Sequence, residues 1–237
     1  MSLVRLLINE LPPIGGAVVL PEAQGHHLVR VRRKAQGDAV ILQTPKGMRA
    51  LGEVTSAEGD LVTVLVKENL PPIPGVLAVK LFPALLPDAA FSLLLQKSTE
   101  IGVREITPVL TEYTVAKVGD LEKKMRRWQT VCDEAACQCG GVPAVVKPPL
   151  KFQEALKEKA ALRLLADASG KALSEFPAEV SEVALLIGPE GGHSAAEMEE
   201  AEKCGWQKAS FHPFILRAET AAVVCSVLCQ ARWGGLA

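Results

Sequence analysis

At 237 residues, 49% of them apolar and 22% charged, the chain has material for one or two domains with a sizeable core and an ordinary water-facing surface. Its net charge of −1 excludes a strongly basic molecule, so any contact with nucleic acid has to come from a local patch. No apolar stretch approaches the ~20 residues that span a bilayer, and the start Met1-Ser2-Leu3-Val4-Arg5 lacks the ordered regions of a signal peptide; a cytoplasmic protein is expected.

The densest basic segment comes first, His26-His27-Leu28-Val29-Arg30-Val31-Arg32-Arg33-Lys34. Short strands are then predicted over Ala39–Gln43 after the Gly37-Asp38 turn, Arg49–Val54 after Lys46-Gly47, and Leu61–Lys67 after Glu58-Gly59-Asp60. Such turn-punctuated strands suggest a small barrel or sandwich. Pro71-Pro72-Ile73-Pro74-Gly75 neither continues a strand ladder nor starts a helix easily, and reads as a linker. Two domains follow, 1–70 and 76–237.

Beyond the linker, strand runs alternate with helical ones, the pattern of an α/β domain with a largely parallel sheet. Strands are predicted over Leu77–Phe82, Glu105–Leu110, Leu162–Ala166, Val183–Ile187 and Gln207–Phe211. Helices are predicted over Asp88–Gly102, Asp120–Cys139, Gln153–Lys159, Ala195–Cys204 and Glu219–Trp233. The second is the clearest, because Leu121, Met125, Trp128, Cys132 and Ala135 recur at three and four residues. Gly205 is a helix stop.

Two strand-like runs empty into two loops that could share a site. Val183–Ile187 opens into Gly188-Pro189-Glu190-Gly191-Gly192, whose glycines let backbone lie against a ligand, followed by the capping box Ser194-Ala195-Ala196-Glu197. Ile215-Leu216-Arg217-Ala218-Glu219-Thr220-Ala221 leads into the last helix, where free amides and the Arg217 guanidinium suit an anion or a developing negative charge. An ordinary cap and a surface salt bridge account for the same residues equally well. The common nucleotide-binding, hydrolase and zinc-protease signatures are absent. Six cysteines lie in the second half with no Cys-x-x-Cys pair, and they read as small buried hydrophobes; no metal site is expected.

The segments Leu-Ile-Gly-Pro-Glu-Gly-Gly at 186–192, Ser194 with Glu197, and Ile-Leu-Arg-Ala-Glu-Thr-Ala at 215–221 resemble the signature of the RsmE family. Gln96-Lys97-Ser98-Thr99-Glu100-Ile101-Gly102-Val103, Ile106-Thr107-Pro108, the Glu134–Gly140 region with Val142-Pro143, and His27-Leu28 to Arg33 with Gly37-Asp38 extend the likeness from about residue 20 to the C-terminus. The family comprises SPOUT-class enzymes that methylate N3 of a uridine in 16S (small-subunit) ribosomal RNA with S-adenosylmethionine. The resemblance implies a PUA-like RNA-binding β-barrel at 1–70, a trefoil-knotted SPOUT domain at 76–237, and a homodimer. It implies that the methyl donor lies among three loops, the one after Leu165, then Gly188–Gly192, then Phe211–Thr220, held by Leu165, Ile187, Gly188, Pro189, Glu190, Gly191, Gly192, Phe211, Ile215, Leu216, Thr220 and Ala221.

Uracil N3 carries an imide proton and is a poor nucleophile until that proton leaves, so the site needs a proton route and stabilisation of charge on O2 and O4. Arg217 is the candidate for charge stabilisation, and Glu190 or Glu219 for proton acceptance or for orienting Arg217. His27, Arg30, Arg32, Arg33 and Lys34, with Lys97 of the Gln-Lys segment, are the candidate RNA contacts, phosphate contacts of this kind dominating affinity. The chain departs from the family pattern at two arginines: Glu112-Tyr113-Thr114 stands where Glu-Arg-Ser is usual, and Phe211-His212-Pro213-Phe214 where Leu-Gly-x-Arg is usual. His193 stands where an aromatic is common. These losses bear on substrate more than on cofactor, which leaves two alternatives: a SPOUT methyltransferase for another RNA nucleotide, or a non-catalytic dimeric RNA-binding or ribosome-assembly protein on the same fold.

Overall fold

The computed structural model describes residues 3–234; Met1, Ser2 and residues 235–237, at the outer ends of the two expected domains, lie outside the described residues. The chain divides into two compact units, one running to Pro74 and including Ala136–Val142, the other made of Gly75–Ala135 and the chain from Pro143 onward.

The first unit contains β1 (Val4–Leu7), β2 (Ala17–Val19), α1 (Glu22–His26), β3 (Ala39–Gln43), β4 (Arg49–Glu58) and β5 (Leu61–Leu70). They form one sheet in the order β1-β3-β4-β5-β2, antiparallel except for the β1–β3 pair. Val62, Val64 and Val66 are buried at the two-residue period of a half-buried strand, and Val40, Leu42, Ala50 and Val54 meet them. The basic segment is helical: α1 continues into a π-type turn over His27–Val31 that buries Leu28 and leaves Arg30, Arg32 and Arg33 exposed. A Cβ on Gly25 would lie 2.0 Å from the Asp60 carbonyl oxygen, so α1 rests directly on the β4–β5 turn.

The second unit contains β6 (Ala78–Pro83), α2 (Asp88–Glu100), β7 (Glu105–Ile106), β8 (Val109–Leu110), α3 (Leu121–Cys139, whose last turn falls in the first unit), β9 (Val145–Val146), β10 (Leu150–Lys151), α4 (Phe152–Ala155), β11 (Leu162–Ala172), β12 (Glu182–Ile187), α5 (Ala195–Lys203), β13 (Gln207–Ser210) and α6 (Ala218–Trp233). Its six-stranded sheet is parallel throughout, in the order β13-β11-β12-β6-β7-β9. Along β12, Val183, Leu185 and Ile187 enter one core with Phe91, Leu94 and Leu95 of α2, Trp128 and Cys132 of α3, and Cys225 and Cys229 of α6. Ala184 and Leu186 enter the opposite core with Phe82, Phe152, Ala201 and Trp206. Both faces are covered, which is why these strands read as continuous apolar runs.

The chain builds outward from β6 through β7 to β9, then returns to place β11, β12 and β13 on the other side of β6. In open α/β sheets ligands sit beyond the carboxyl ends of strands near such a reversal. The expected strand Glu105–Leu110 is two strands, because Thr107-Pro108 interrupts it: β7 joins the main sheet and β8 pairs with β10. The expected helix Gln153–Lys159 is only the turn of α4, and β13 ends one residue before Phe211. Among the described residues no helix is long and apolar enough to cross a membrane.

A cavity at the carboxyl ends of three parallel strands

The segments that leave β11, β12 and β13 close around one cavity of about 330 Å³. The first wall comes from an irregularity in β11. Ala166 pairs with Ala209 of β13, and so does Lys171, so the four residues between them fold off the ladder. Asp167 makes that excursion a turn, its Oδ1 accepting from the Ser169 amide at 2.8 Å and from the Ser169 hydroxyl. The hydroxyl is the main reason the Asp167 carboxyl is held below its usual range. Gly170 then passes so close to β13 that a Cβ would lie 2.4 Å from the Ala209 nitrogen. Ala166, Asp167 and Ala168 face the cavity.

The second wall is the glycine loop. Ile187 ends β12 with its carbonyl accepting from the Ala84 amide at 2.8 Å. Pro189 to Gly192 form a turn closed by a 2.8 Å bond from the Gly192 amide to the Pro189 carbonyl, and Gly192 takes φ +71°. A Cβ on Gly188 would meet the His193 imidazole at 3.0 Å, so the absence of a side chain lets the loop fold back on itself. His193 also packs on Phe152, with ring centroids 5.5 Å apart. Burial pushes its pKa down to about 4 against the pull of Asp167, so the ring is neutral at physiological pH.

The capping box forms as expected. Ser194 Oγ accepts from the Glu197 amide at 3.3 Å, and Glu197 Oε2 accepts from the Ser194 amide at 3.1 Å. Glu197 does one thing more: its Oε1 accepts from the Glu112 amide at 2.8 Å, tying the chain after β8 to the start of α5. Glu197 is buried, so both amides depend on it.

The third wall is the segment between β13 and α6. The Phe214 amide donates to His212 Nδ1 at 3.2 Å and the two rings lie 5.4 Å apart. Ala218, Ala221 and Cys225, spaced by three and four on α6, supply an apolar floor with Ile187 and Ala209. Burial pushes the Cys225 thiol up to about 12, so it is a packing group and not a nucleophile.

The expected cofactor residues Ile187, Gly188, Pro189, Glu190, Gly191, Gly192, Phe211, Ile215, Leu216 and Ala221 all line this cavity. Leu165 and Thr220 do not: Leu165 is buried in the core behind the wall, and Thr220 is exposed on α6. Of the candidate catalytic groups, Glu190 lines the cavity, whereas Arg217 is the exposed N-cap of α6 and Glu219, in its first turn, is half-buried outside the lining. The expected loop after Leu165 supplies Ala166, Asp167 and Ala168, and the expected loop from Phe211 to Thr220 adds His212, Phe214 and Ala218; His193, Ala209 and Cys225 were not anticipated. Asp-x-Ser-Gly after an apolar run was a readable signal for the first wall. Cys225 carried none, since core and cavity residues of a helix share one periodicity.

In the first unit, Arg30 lies 3.9 Å from Asp60, Lys34 lies 3.5 Å from Asp38, and Arg32 Nε donates to His27 Nε2 at 3.2 Å. Lys97, in the second unit, pairs with Glu100 at 2.8 Å. Among the described residues no group of three or more His, Cys, Asp or Glu is arranged to hold a metal ion.

The walls are apolar on the floor, carry Asp167 and Glu190 as anionic groups, and expose glycine backbone, a set that suits a small amphipathic cation with a planar apolar part. Residues 74–230 match the family model of an RNA methyltransferase domain, and residues 20–67 that of an RNA methyltransferase PUA domain. The chain is similar to the ribosomal RNA small subunit methyltransferase E of Mesomycoplasma hyopneumoniae, 31% identical over 95% of this chain and 98% of that one. It is 31% identical to the enzyme of the same name from Bacillus subtilis, over 93% and 91% of the two chains. Among solved structures, a methyltransferase of Legionella pneumophila with bound cofactor SAM superposes with a TM-score of 0.94 at 28% identity, covering all of both chains. The ribosomal RNA small subunit methyltransferase E of Neisseria gonorrhoeae bound to S-adenosyl methionine superposes with a TM-score of 0.92 at 25% identity, also in full.

Proposed function

This chain belongs to the ribosomal RNA small subunit methyltransferase E family, and from that membership we propose that it methylates N3 of a uridine in small-subunit ribosomal RNA with S-adenosylmethionine as donor. The observation that carries the proposal is the single cavity shared by the three strand-end segments, in a chain whose whole length superposes on S-adenosylmethionine-bound relatives.

The residues present fit the donor. Gly188 keeps side-chain bulk out of the loop, Ile187, Ala209, Ala218 and Ala221 offer an apolar bed for a purine, and Asp167 and Glu190 favour a cationic ligand. When bound, S-adenosylmethionine supplies an electrophilic methyl group on a sulfonium, chemistry that needs no metal. The chain's own contribution is electrostatic. Arg217 precedes α6, whose first amides have no helical partner, so that end of the helix favours negative charge developing on O2 or O4 of uracil. Glu190 or Glu219 accepts the N3 proton or orients Arg217. The unit preceding the linker acts as the PUA-like RNA-binding domain (1–70), with His27, Arg30, Arg32, Arg33 and Lys34, joined by Lys97, on phosphates; residues 76–237 are the catalytic SPOUT domain, its C-terminal chain forming the trefoil crossing. A cytoplasmic homodimer is the working assembly.

Calorimetric titration with S-adenosylmethionine, followed by mass-spectrometric mapping of uridines in ribosomal RNA from cells with and without the protein, tests the reading. Saturable donor binding and one uridine methylated only in cells that have the protein are expected. A chain that binds no donor is a scaffold, and donor binding with a different modified nucleotide relocates the substrate. Arg217→Ala is expected to retain donor binding and lose about 100-fold or more in kcat, as for removal of a charge-stabilising donor; full activity removes Arg217 from the mechanism.

A further inference from the structure

The chain has six Phe, three Trp and one Tyr, and among these only Tyr113 (47% exposed) and Phe214 (74%) are exposed residues. Each lies at a wall of the cavity. Phe214 lines the mouth of the cavity, and the Tyr113 side chain lies 3.5 Å from where a Cβ on Gly191 would sit, Gly191 being part of the cavity wall. Ile215, beside Phe214, is 94% exposed. Neither ring is loosely held at its base. The chain at Tyr113 is anchored by the Glu112 amide on Glu197 and by the Thr111 amide on the Thr114 hydroxyl at 2.9 Å, and Phe214 is braced by the His212 ring and by its amide on His212 Nδ1. Flat apolar faces held open to solvent beside a ligand cavity are the surface on which a planar partner stacks.

We propose that Tyr113 and Phe214, with His212 behind Phe214, form an aromatic rim that stacks the unpaired pyrimidine base presented to the cavity. This rests on the RNA-methylation reading above. N3 lies on the base-pairing edge of uracil, so it becomes reachable only when the base is unpaired and drawn out of its stack. The faces it loses are then restored by rings on the protein. On the family resemblance both rings stand where arginine is usual, so at these two positions a π-face replaces a cation and recognition shifts from charge towards stacking. A salt-insensitive part of RNA affinity follows, because stacking releases no counterions.

The test uses the full-length chain saturated with S-adenosylhomocysteine. Binding of a short oligouridylate is measured for the wild type and for Tyr113→Ala, Phe214→Ala, Tyr113→Phe and Phe214→Trp, at low and at high salt, with sedimentation of each. Each alanine variant is expected to bind about tenfold more weakly at both salts, with the aromatic variants near wild type. Equal affinity in the alanine variants, no saturable oligouridylate binding by the wild type, or equal losses in alanine and aromatic variants overturns the rim. A changed oligomeric state in the alanine variants also overturns it and assigns the rings to contact between copies of the chain. Failure of the wild type to bind S-adenosylhomocysteine would instead sink the methyltransferase reading, which keeps the two failures apart.

Discussion

Acidification acts on His193 in a direction the structure fixes. The buried ring is held neutral, with a pKa of about 4 against 6.5 for the free side chain, because burial removes the water that would solvate the imidazolium and Asp167 only partly compensates. Well above pH 6.5 neither the folded nor the unfolded chain protonates it, and its contribution to stability is fully present. As pH falls through 6.5 towards 4 the unfolded chain takes up a proton that the folded chain refuses, so stability is lost at about 1.4 kcal/mol per pH unit. Between pH 7 and 4.5 the loss is roughly 2.5 kcal/mol, or a shift of about 1 M in a urea midpoint for a slope near 2 kcal/mol/M. His193→Phe keeps a ring against Phe152 and cannot titrate, so this component disappears, and among the carboxylates only Asp167 changes, losing the smallest of the attractions that hold its pKa down. Trp128, Trp206 and Trp233 all belong to the second unit, so tryptophan fluorescence follows its unfolding. The midpoints of wild type and His193→Phe at pH 7 and 4.5 give the comparison. Parallel losses in the two proteins would refute the burial argument.

Glu197→Ala strands the buried amide of Ser194 and the part-buried amide of Glu112, and is expected to cost about 2–3 kcal/mol in urea unfolding, whereas Ser194→Ala loses one cap and costs about 1 kcal/mol. Equal effects of the two would mean that Glu197 does not bridge to the β8 end. Gly170→Ala places a Cβ within 2.4 Å of β13 backbone and is expected to destabilise by about 2 kcal/mol or more and to weaken S-adenosylmethionine binding by calorimetry; wild-type values for both would show that the β11 excursion is not tight. Glu substitutions at Arg30, Arg32 and Arg33 together are expected to lower affinity for ribosomal RNA and to flatten its log–log salt slope by about 0.7–0.9 for every phosphate no longer neutralised; an unchanged slope moves the RNA interface elsewhere.

Local chemistry was legible residue by residue. Ser194 and Glu197 formed the expected box, Gly205 took φ +83° to end α5, and Ala39–Gln43 is a strand with the predicted limits. The glycine loop and the segment before α6 were recognisable as partners because each follows a strand-like run and carries residues suited to bind. The extent of β11 was not legible, since Asp167-Ala168-Ser169-Gly170 has the chemistry of a turn, and only pairing of Lys171 and Ala172 with β13 carries the strand past it. Short strands such as β9 and β10 are defined by their neighbours and have too few residues to show a period.

What the sequence determined by itself was the set of groups: apolar runs long enough for a sheet covered on both faces, caps and turns at their ends, and one glycine loop with one Arg-x-Glu-Thr segment. Only the tertiary structure decided which strand ends lie side by side. Strand order depends on contacts between residues far apart in the chain, and inserting β12 between β11 and β6 brought the loop at 188–192 against the segment at 211–216 and the excursion at 166–168. The same packing enclosed His193, whose Nε2 is buried, and left Tyr113 and Phe214 exposed, a difference between rings that depends on what surrounds each one.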